Sequence, residues 1–300
     1  MAGARVEPLQ GFVDVRDGKI HYLDWEGEGP RVHFLHANGF CAGTYTPIIR
    51  ALNESLRVMA SDVRGHGDSV QIGIPKITHW NLFAEDLRTL IEKKLTPPVI
   101  GIGHSLGAVV TCIAASKYPH LFSGIVLMDP VFLPRPLLWT LAVMRTLGIQ
   151  GAMPLAKGAR RRKRSFKGKT EAFNRFTAGR GIFKTWQEDF IDAYLECGLL
   201  EKTDDDVILK CDPELEARIF ESVPLNEWRH AGRIKCPVLA IRGAESDTFM
   251  EAPARTLEKT IPDMELVTLE RAGHFVPMEQ PEACTRLILD FIQRRIRPER

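Results

Sequence analysis

The sequence predicts an α/β protein: one mostly parallel sheet flanked by helices, with a helical segment inserted into it. Three observations predict this. Short apolar runs alternate with amphipathic helical patterns through most of the 300 residues, as in strands covered on both faces and joined by helical crossovers. The alternation lapses from about Val131 to Lys235 and then resumes. Several apolar runs also end directly in Gly-containing loops.

The elements follow in order. Phe12–Val15 and Ile20–Trp25 alternate around Asp17-Gly18, the pattern of a hairpin. Arg31–Leu35 is a short strand that runs into His36-Ala37-Asn38-Gly39-Phe40, with a helix near Tyr45–Asn53. Leu56–Ala60 is a strand ending at Asp62–Ser69. Thr78 can cap a helix reaching Leu95, with Leu82, Phe83, Leu87, Leu90 and Ile91 on one face, and Pro97-Pro98 stops it. Val99–Ile102 is a bare apolar run, followed by Gly103-His104-Ser105-Leu106-Gly107 and a helix over Ala108–Ser116. Gly124–Met128 is the sixth strand in this reading. After the lapse, in which Phe183–Leu199 is the strongest helix and no strand is expected, come strand Val238–Arg242, a helix near Glu251–Thr260, strand Glu265–Leu269 and a helix over Pro281–Arg295. The domain reading is a core of residues 1–130 and 236–300, with residues 131–235 as an insertion.

Composition excludes several classes. A formal charge of +2 argues against a nucleic-acid partner. The charge is unevenly spread: Lys157–Lys169 holds eight basic residues and no acid. A solvated face is the plainer expectation, and a weak membrane-surface contact through Lys157–Lys169 is the functional one. Cys41, Cys112, Cys197, Cys211, Cys236 and Cys284 show no metal-ligand spacing and read as free thiols. The N-terminal stretch lacks a signal-type apolar core, so the expected location is cytoplasmic. Pro136–Ala156 is nearly long enough to span a bilayer, but its Arg145, glycines and prolines favour a buried or amphipathic helix pair over an interfacial segment. No cofactor or metal is expected, and the oligomeric state is open.

The chemistry starts at Ser105. G-x-S-x-G between a buried strand and a helix places a serine hydroxyl on a sharp turn above the sheet. A serine needs a base. His274, in Gly273-His274-Phe275 just past an expected strand, is the leading candidate. The base needs a carboxylate. Asp247, on the loop after Val238–Arg242, is the first choice, with Asp129 and Glu245 as alternatives. Oxyanion donors are expected from the N–H of Leu106 and, in the His36–Phe40 loop, from Asn38, with Ala37 or Gly39 open.

Together these residues resemble the α/β-hydrolase family, in the branch with a nucleophilic serine and a helical cap inserted after the sixth strand. The resemblance rests on the loop at His36, the run Asp62–Ser69, the elbow at Ser105, and the positions of Asp247 and His274. It covers roughly Gly11 to Ile296. It implies a serine hydrolase acting on a small apolar carboxylic ester through an acyl-enzyme. The same groups serve thioester, lactone or C–C bond cleavage and acyl transfer, and some proteins of this fold are small-molecule receptors. The aromatic-rich insertion is expected to line an apolar pocket over Ser105.

Overall fold

The computed structural model describes residues 7–71, 77, 79–178, 181–203 and 205–296. The start of the N-terminal stretch and the expected cap Thr78 lie outside them. A hairpin of β1 (Leu9–Val15) and β2 (Gly18–Trp25) leads into β3 (Arg31–Leu35), α1 (Thr46–Asn53), β4 (Arg57–Ser61) and the two-residue β5 (Val70–Gln71). Then come α2 (Asn81–Lys94), β6 (Val99–His104), α3 (Leu106–Lys117) and β7 (Phe122–Met128). Because β5 was too short to read from the sequence, the insertion follows the seventh strand rather than the sixth.

The insertion holds α4 (Arg135–Thr146), α5 (Pro154–Arg160), β8 (Ser165–Lys167), α6 (Gly168–Phe176), α7 (Glu188–Cys197), β9 (Leu199–Thr203), β10 (Asp206–Leu209), α8 (Pro213–Glu221) and α9 (Glu227–Ala231). The chain then returns through β11 (Val238–Gly243), α10 (Glu251–Thr260), β12 (Met264–Leu269), α11 (Val276–Glu279) and α12 (Pro281–Arg295).

The main sheet runs β1-β2-β4-β3-β6-β7-β11-β12, with β5 paired to β2. Strands β1, β2 and β5 pair antiparallel, while β4 through β12 along that order are parallel. Successive residues of a strand face opposite layers, and the core divides accordingly. Val126, Met128 and Ile241 pack with Ile48 and Leu52 of α1 and Phe291 of α12. Ile125, Leu127 and Ala240 pack on the other face with Leu87 of α2, Val109 of α3 and Leu257 of α10. β3 has β4 on one side and β6 on the other. The order therefore reverses at β3, and the crevice between the carboxyl ends of β3 and β6 is where such sheets bind ligands.

Two expectations for the insertion are corrected. It is not purely helical: β8, β10 and β9 form a separate three-stranded antiparallel sheet. These strands are short, and β8 and β9 carry charged residues on exposed positions, so no apolar alternation marked them. The helix expected over Phe183–Leu199 is split, with a 3-10 turn at Ile182–Thr185 before α7. Among the described residues no helix is long and apolar enough to cross a membrane. All six cysteines are free.

Candidate active site

Ser105 sits between β6 and α3 with φ 55° and ψ −113°. A non-glycine residue in that region is strained by about 1–3 kcal/mol, so the surrounding structure must impose it. The neighbouring glycines show how. A Cβ on Gly103 would collide with the Gly107 carbonyl, and one on Gly107 with the Leu35 carbonyl of β3. Only glycine lets the start of α3 press this closely on the strands, and that approach lifts the serine to the carboxyl edge of the sheet. Ser105 is 7% exposed.

The sequence-predicted base lies beside it. His274 Nε2 is 3.0 Å from Ser105 Oγ, and His274 Nδ1 is 2.7 Å from Asp129 Oδ1. Facing a carboxylate, Nδ1 carries the proton, which leaves Nε2 to accept the serine proton. The carboxylate that meets His274 is therefore Asp129 and not the expected Asp247. Asp129 follows β7, is fully buried, and also accepts from Ser246 Oγ at 2.6 Å and the Gly243 N–H at 3.0 Å. Asp247 and Glu245 are exposed, and among the described residues Asp247 accepts only from the neighbouring Thr248 hydroxyl. The physical reason is the parallel pairing of β7 with β11, Met128 opposite Ile241. The two carboxyl ends lie side by side, so either loop could deliver a carboxylate. The loop after β11 delivers Ser246 instead, which anchors Asp129 while its own Oγ accepts from the N–H groups of Thr248 and Phe249.

The expected oxyanion loop stands at the end of β3. The Ala37 N–H donates to Tyr45 Oη at 3.1 Å and the Gly39 N–H to His66 Nε2 at 3.1 Å. The Asn38 N–H is left without a partner among the described residues, and the Asn38 side chain donates to the Glu216 carbonyl at 3.1 Å. Leu106 is the first residue of α3, where an N–H has no acceptor within its helix.

A polar chain that sequence reasoning missed ties these parts together. Tyr45 Oη accepts from the Ala37 N–H and donates to His104 Nδ1 at 2.7 Å, and His104 Nε2 donates to the His274 carbonyl at 2.9 Å. Tyr45 and His104 are fully buried. Burial first, and the nearby His274 second, hold the His104 imidazole well below its ordinary pKa, which keeps it in the neutral tautomer the chain requires. His36 is likewise structural: Nδ1 faces the Ala37 carbonyl and Nε2 accepts from the Val63 N–H at 2.8 Å. No motif announces Tyr45; its role exists only in the folded contact.

His21, Asp62 and Asp68 have metal-ligand proximity, yet their donors are already engaged. Asp62 accepts from His21 Nδ1 and from the N–H groups of Ala42 and Asp68, and Asp68 pairs with Lys210. This group braces the Asp62–Ser69 loop. The aromatic wall of the site comes from both core and insertion. Phe275, next to His274, lies 5.4 Å from Trp186 and 5.9 Å from Phe40, centroid to centroid, and Phe40 lies 5.1 Å from Trp186. Arg162, from the basic run, reaches this neighbourhood. It pairs with Glu216 at 2.5 Å and donates to Tyr194 Oη at 2.7 Å, beside Gly39.

Comparisons with known proteins bear on this geometry. The family model described as "Alpha/beta hydrolase family" matches residues 34–287. A 2-(acetamidomethylene)succinate hydrolase of Mesorhizobium japonicum is 25% identical over 269 residues, 89% of each chain. The crystal structure of an E-2-(acetamidomethylene)succinate hydrolase aligns with a TM-score of 0.77 at 23% identity, covering 95% of this chain and 99% of that one. The thioesterase domain from the curacin biosynthetic pathway aligns with a TM-score of 0.76 at 17% identity, covering 94% and 99%. These structural likenesses are likenesses of fold.

Proposed function

This chain belongs to the alpha/beta hydrolase family, and from that premise we propose that it is a serine hydrolase that cleaves an apolar carboxylic ester through an acyl-enzyme. The observation that carries the reading is the continuous contact Ser105 Oγ–His274 Nε2–Nδ1–Asp129 Oδ1 at 3.0 and 2.7 Å. His274 takes the Ser105 proton as Oγ attacks the ester carbonyl. The oxyanion forms between the N–H groups of Leu106 and Asn38. His274 then protonates the departing alcohol, and a water activated by the same imidazole releases the acid. Asp129 holds the imidazole tautomer and stabilises the imidazolium.

The insertion caps this site in our reading, and its contribution is apolar surface. Trp186 closes against Phe40 and Phe275. The relative's name, 2-(acetamidomethylene)succinate hydrolase, raises a carboxylate-bearing substrate as the competing idea. Arg162, the cation beside Gly39, is already committed to Glu216 and Tyr194, which favours an uncharged acyl group here. A series of p-nitrophenyl esters tests this. Burying each methylene contributes about 0.8 kcal/mol, roughly fourfold, so kcat/KM should climb from acetate towards hexanoate. A flat or falling series overturns the apolar site. Failure of a fluorophosphonate probe to label Ser105 overturns the serine mechanism itself.

A further inference from the structure

The insertion turns an apolar, cationic face to solvent that the proposed chemistry does not use. On α4, Leu138 and Leu141 are buried, and Leu141 joins Ala156 and Ala159 of α5 and Ala217 of α8 in one small core. The opposite side of α4 is also apolar. Trp139 is 75% exposed, Val143 55% and Leu147, just past the helix, 65%. At spacing i, i+4, i+8 they form one stripe. Ile149 and Leu155 on the following turn and α5 are exposed as well.

The charge around the stripe is one-sided. Residues 131–170 contain no Asp or Glu. Most of the basic run is consumed within the insertion. Arg160 pairs with Glu214 and Glu221, Arg162 with Glu216, Lys163 with Glu171, Arg164 with Asp212, Lys167 with Asp206, and Lys169 with Glu201. Of this segment's cations, Arg145 is held by the Glu221 and Val223 carbonyls, and three more have no ion pair among the described residues: Arg135, one turn before Trp139, Lys157 on α5, and Arg161, one turn on at its C-terminal end. Since α5 turns Ala156 and Ala159 inward and Arg160 reaches the acids of α8, Lys157 and Arg161 fall on its outward side.

We propose that the Trp139–Val143–Leu147 face of α4, rimmed by Arg135, Lys157 and Arg161, docks on an anionic lipid surface. Exposed apolar side chains flanked by unpaired cations suit the interface of an anionic bilayer, where the side chains enter the headgroup region and the cations meet lipid phosphates. A second copy of the chain fits less well, because two-fold pairing would bring the same unpaired cations together with no acid from this segment to neutralise them. The basic run itself is not the surface, since six of its eight charges are spent internally.

Trp139 makes the test direct, because the other four tryptophans are buried or half-buried. The full chain is titrated with vesicles of phosphatidylcholine alone and of phosphatidylcholine mixed with phosphatidylglycerol. The expected result is a blue shift of Trp139 emission and co-sedimentation with the anionic vesicles, weakened by salt. Arg135→Gln, Lys157→Gln and Arg161→Gln should each weaken binding by about fivefold. Val143→Ser should weaken it further, with hydrolysis of a soluble ester unchanged as the check on folding. No emission shift with anionic vesicles overturns the proposal, as does binding indifferent to all four substitutions. Lipid-free self-association abolished by Trp139→Ser would assign the face to a second copy and overturn it too. The wild-type emission and its salt dependence decide the matter even if a variant fails to fold.

Discussion

At the carboxyl edge of the sheet, Tyr45, His104, Asp129 and His274 are joined to one another and to Ala37 and Ser246 by hydrogen bonds of 2.6–3.1 Å that leave little freedom in tautomer or rotamer. In the insertion, polar contacts are mostly solvent-facing ion pairs, and packing comes from aromatic rings such as Phe176, Phe183 and Tyr194. The buried groups there that have no hydrogen-bond partner among the described residues include Trp186 Nε1 and the Glu227 carboxylate. The difference separates two tasks. A buried hydrogen-bonded chain fails when any one member changes, so it suits groups whose positions must not vary. Area-based packing tolerates substitution at constant volume, so it suits the substrate-selecting surface proposed for the insertion.

The largest effect should come from breaking the wired side. Asp129→Asn keeps the shape but loses the charge that fixes the His274 tautomer, and kcat should fall by about 10⁴-fold. Asp247→Asn, on an exposed residue, should stay within about twofold. Steady-state hydrolysis of a p-nitrophenyl ester by both variants decides it. A severe loss in Asp247→Asn with Asp129→Asn active would reverse the assignment of the acid.

That contrast also marks how much was legible beforehand. The meeting of Ser105 with His274 and the parallel sheet could be read because each depends on local signals: Gly103 and Gly107 around Ser105, Gly273 before His274, and apolar runs between helical patterns. The acid could not, because the loops after β7 and β11 both end beside the imidazole and their order along the chain is equally compatible. What distinguishes them is burial and the Ser246 anchor, which are tertiary facts. The sheet of β8, β9 and β10 was illegible for a different reason. Strand β8 takes its partner from distant sequence, Phe166 opposite Val207, while β9 and β10 pair as sequence neighbours, Leu200 opposite Ile208, and no single strand carries a period-two pattern long enough to read.

A smaller effect should follow from cutting the chain one step away from the reaction. Tyr45→Phe preserves the ring against Phe34 and removes the hydroxyl between the Ala37 N–H and His104 Nδ1. Two buried groups then lose their partner, at about 1–3 kcal/mol each. Because Ala37 lies in the expected oxyanion loop, kcat should fall by about tenfold with KM little changed, the sign of lost transition-state stabilisation. A variant that is less stable but keeps full kcat would show that the chain only supports the fold.

The smallest and most pH-dependent effect belongs to the insertion. Glu227 of α9 is 1% exposed, and burial pushes its carboxyl up from an ordinary 4.5 to about 7, against weaker opposing contributions from nearby backbone N–H groups and Arg145. The native state therefore binds this proton more tightly than the unfolded chain does. Where the native state holds more protons, stability falls as pH rises. The carboxyl imposes no ionisation penalty below about pH 4.5, an increasing one between 4.5 and 7, and the full one above. At about 1.4 kcal/mol per pKa unit the span is about 3 kcal/mol. Glu227→Gln removes the titration but keeps a buried polar group, so its stability relative to the wild type should improve by about 1–3 kcal/mol between pH 4.5 and 8. Urea unfolding across that range measures the difference. A difference independent of pH would mean that water or rearrangement reaches Glu227, and that this part of the insertion is not the dry packing its burial describes.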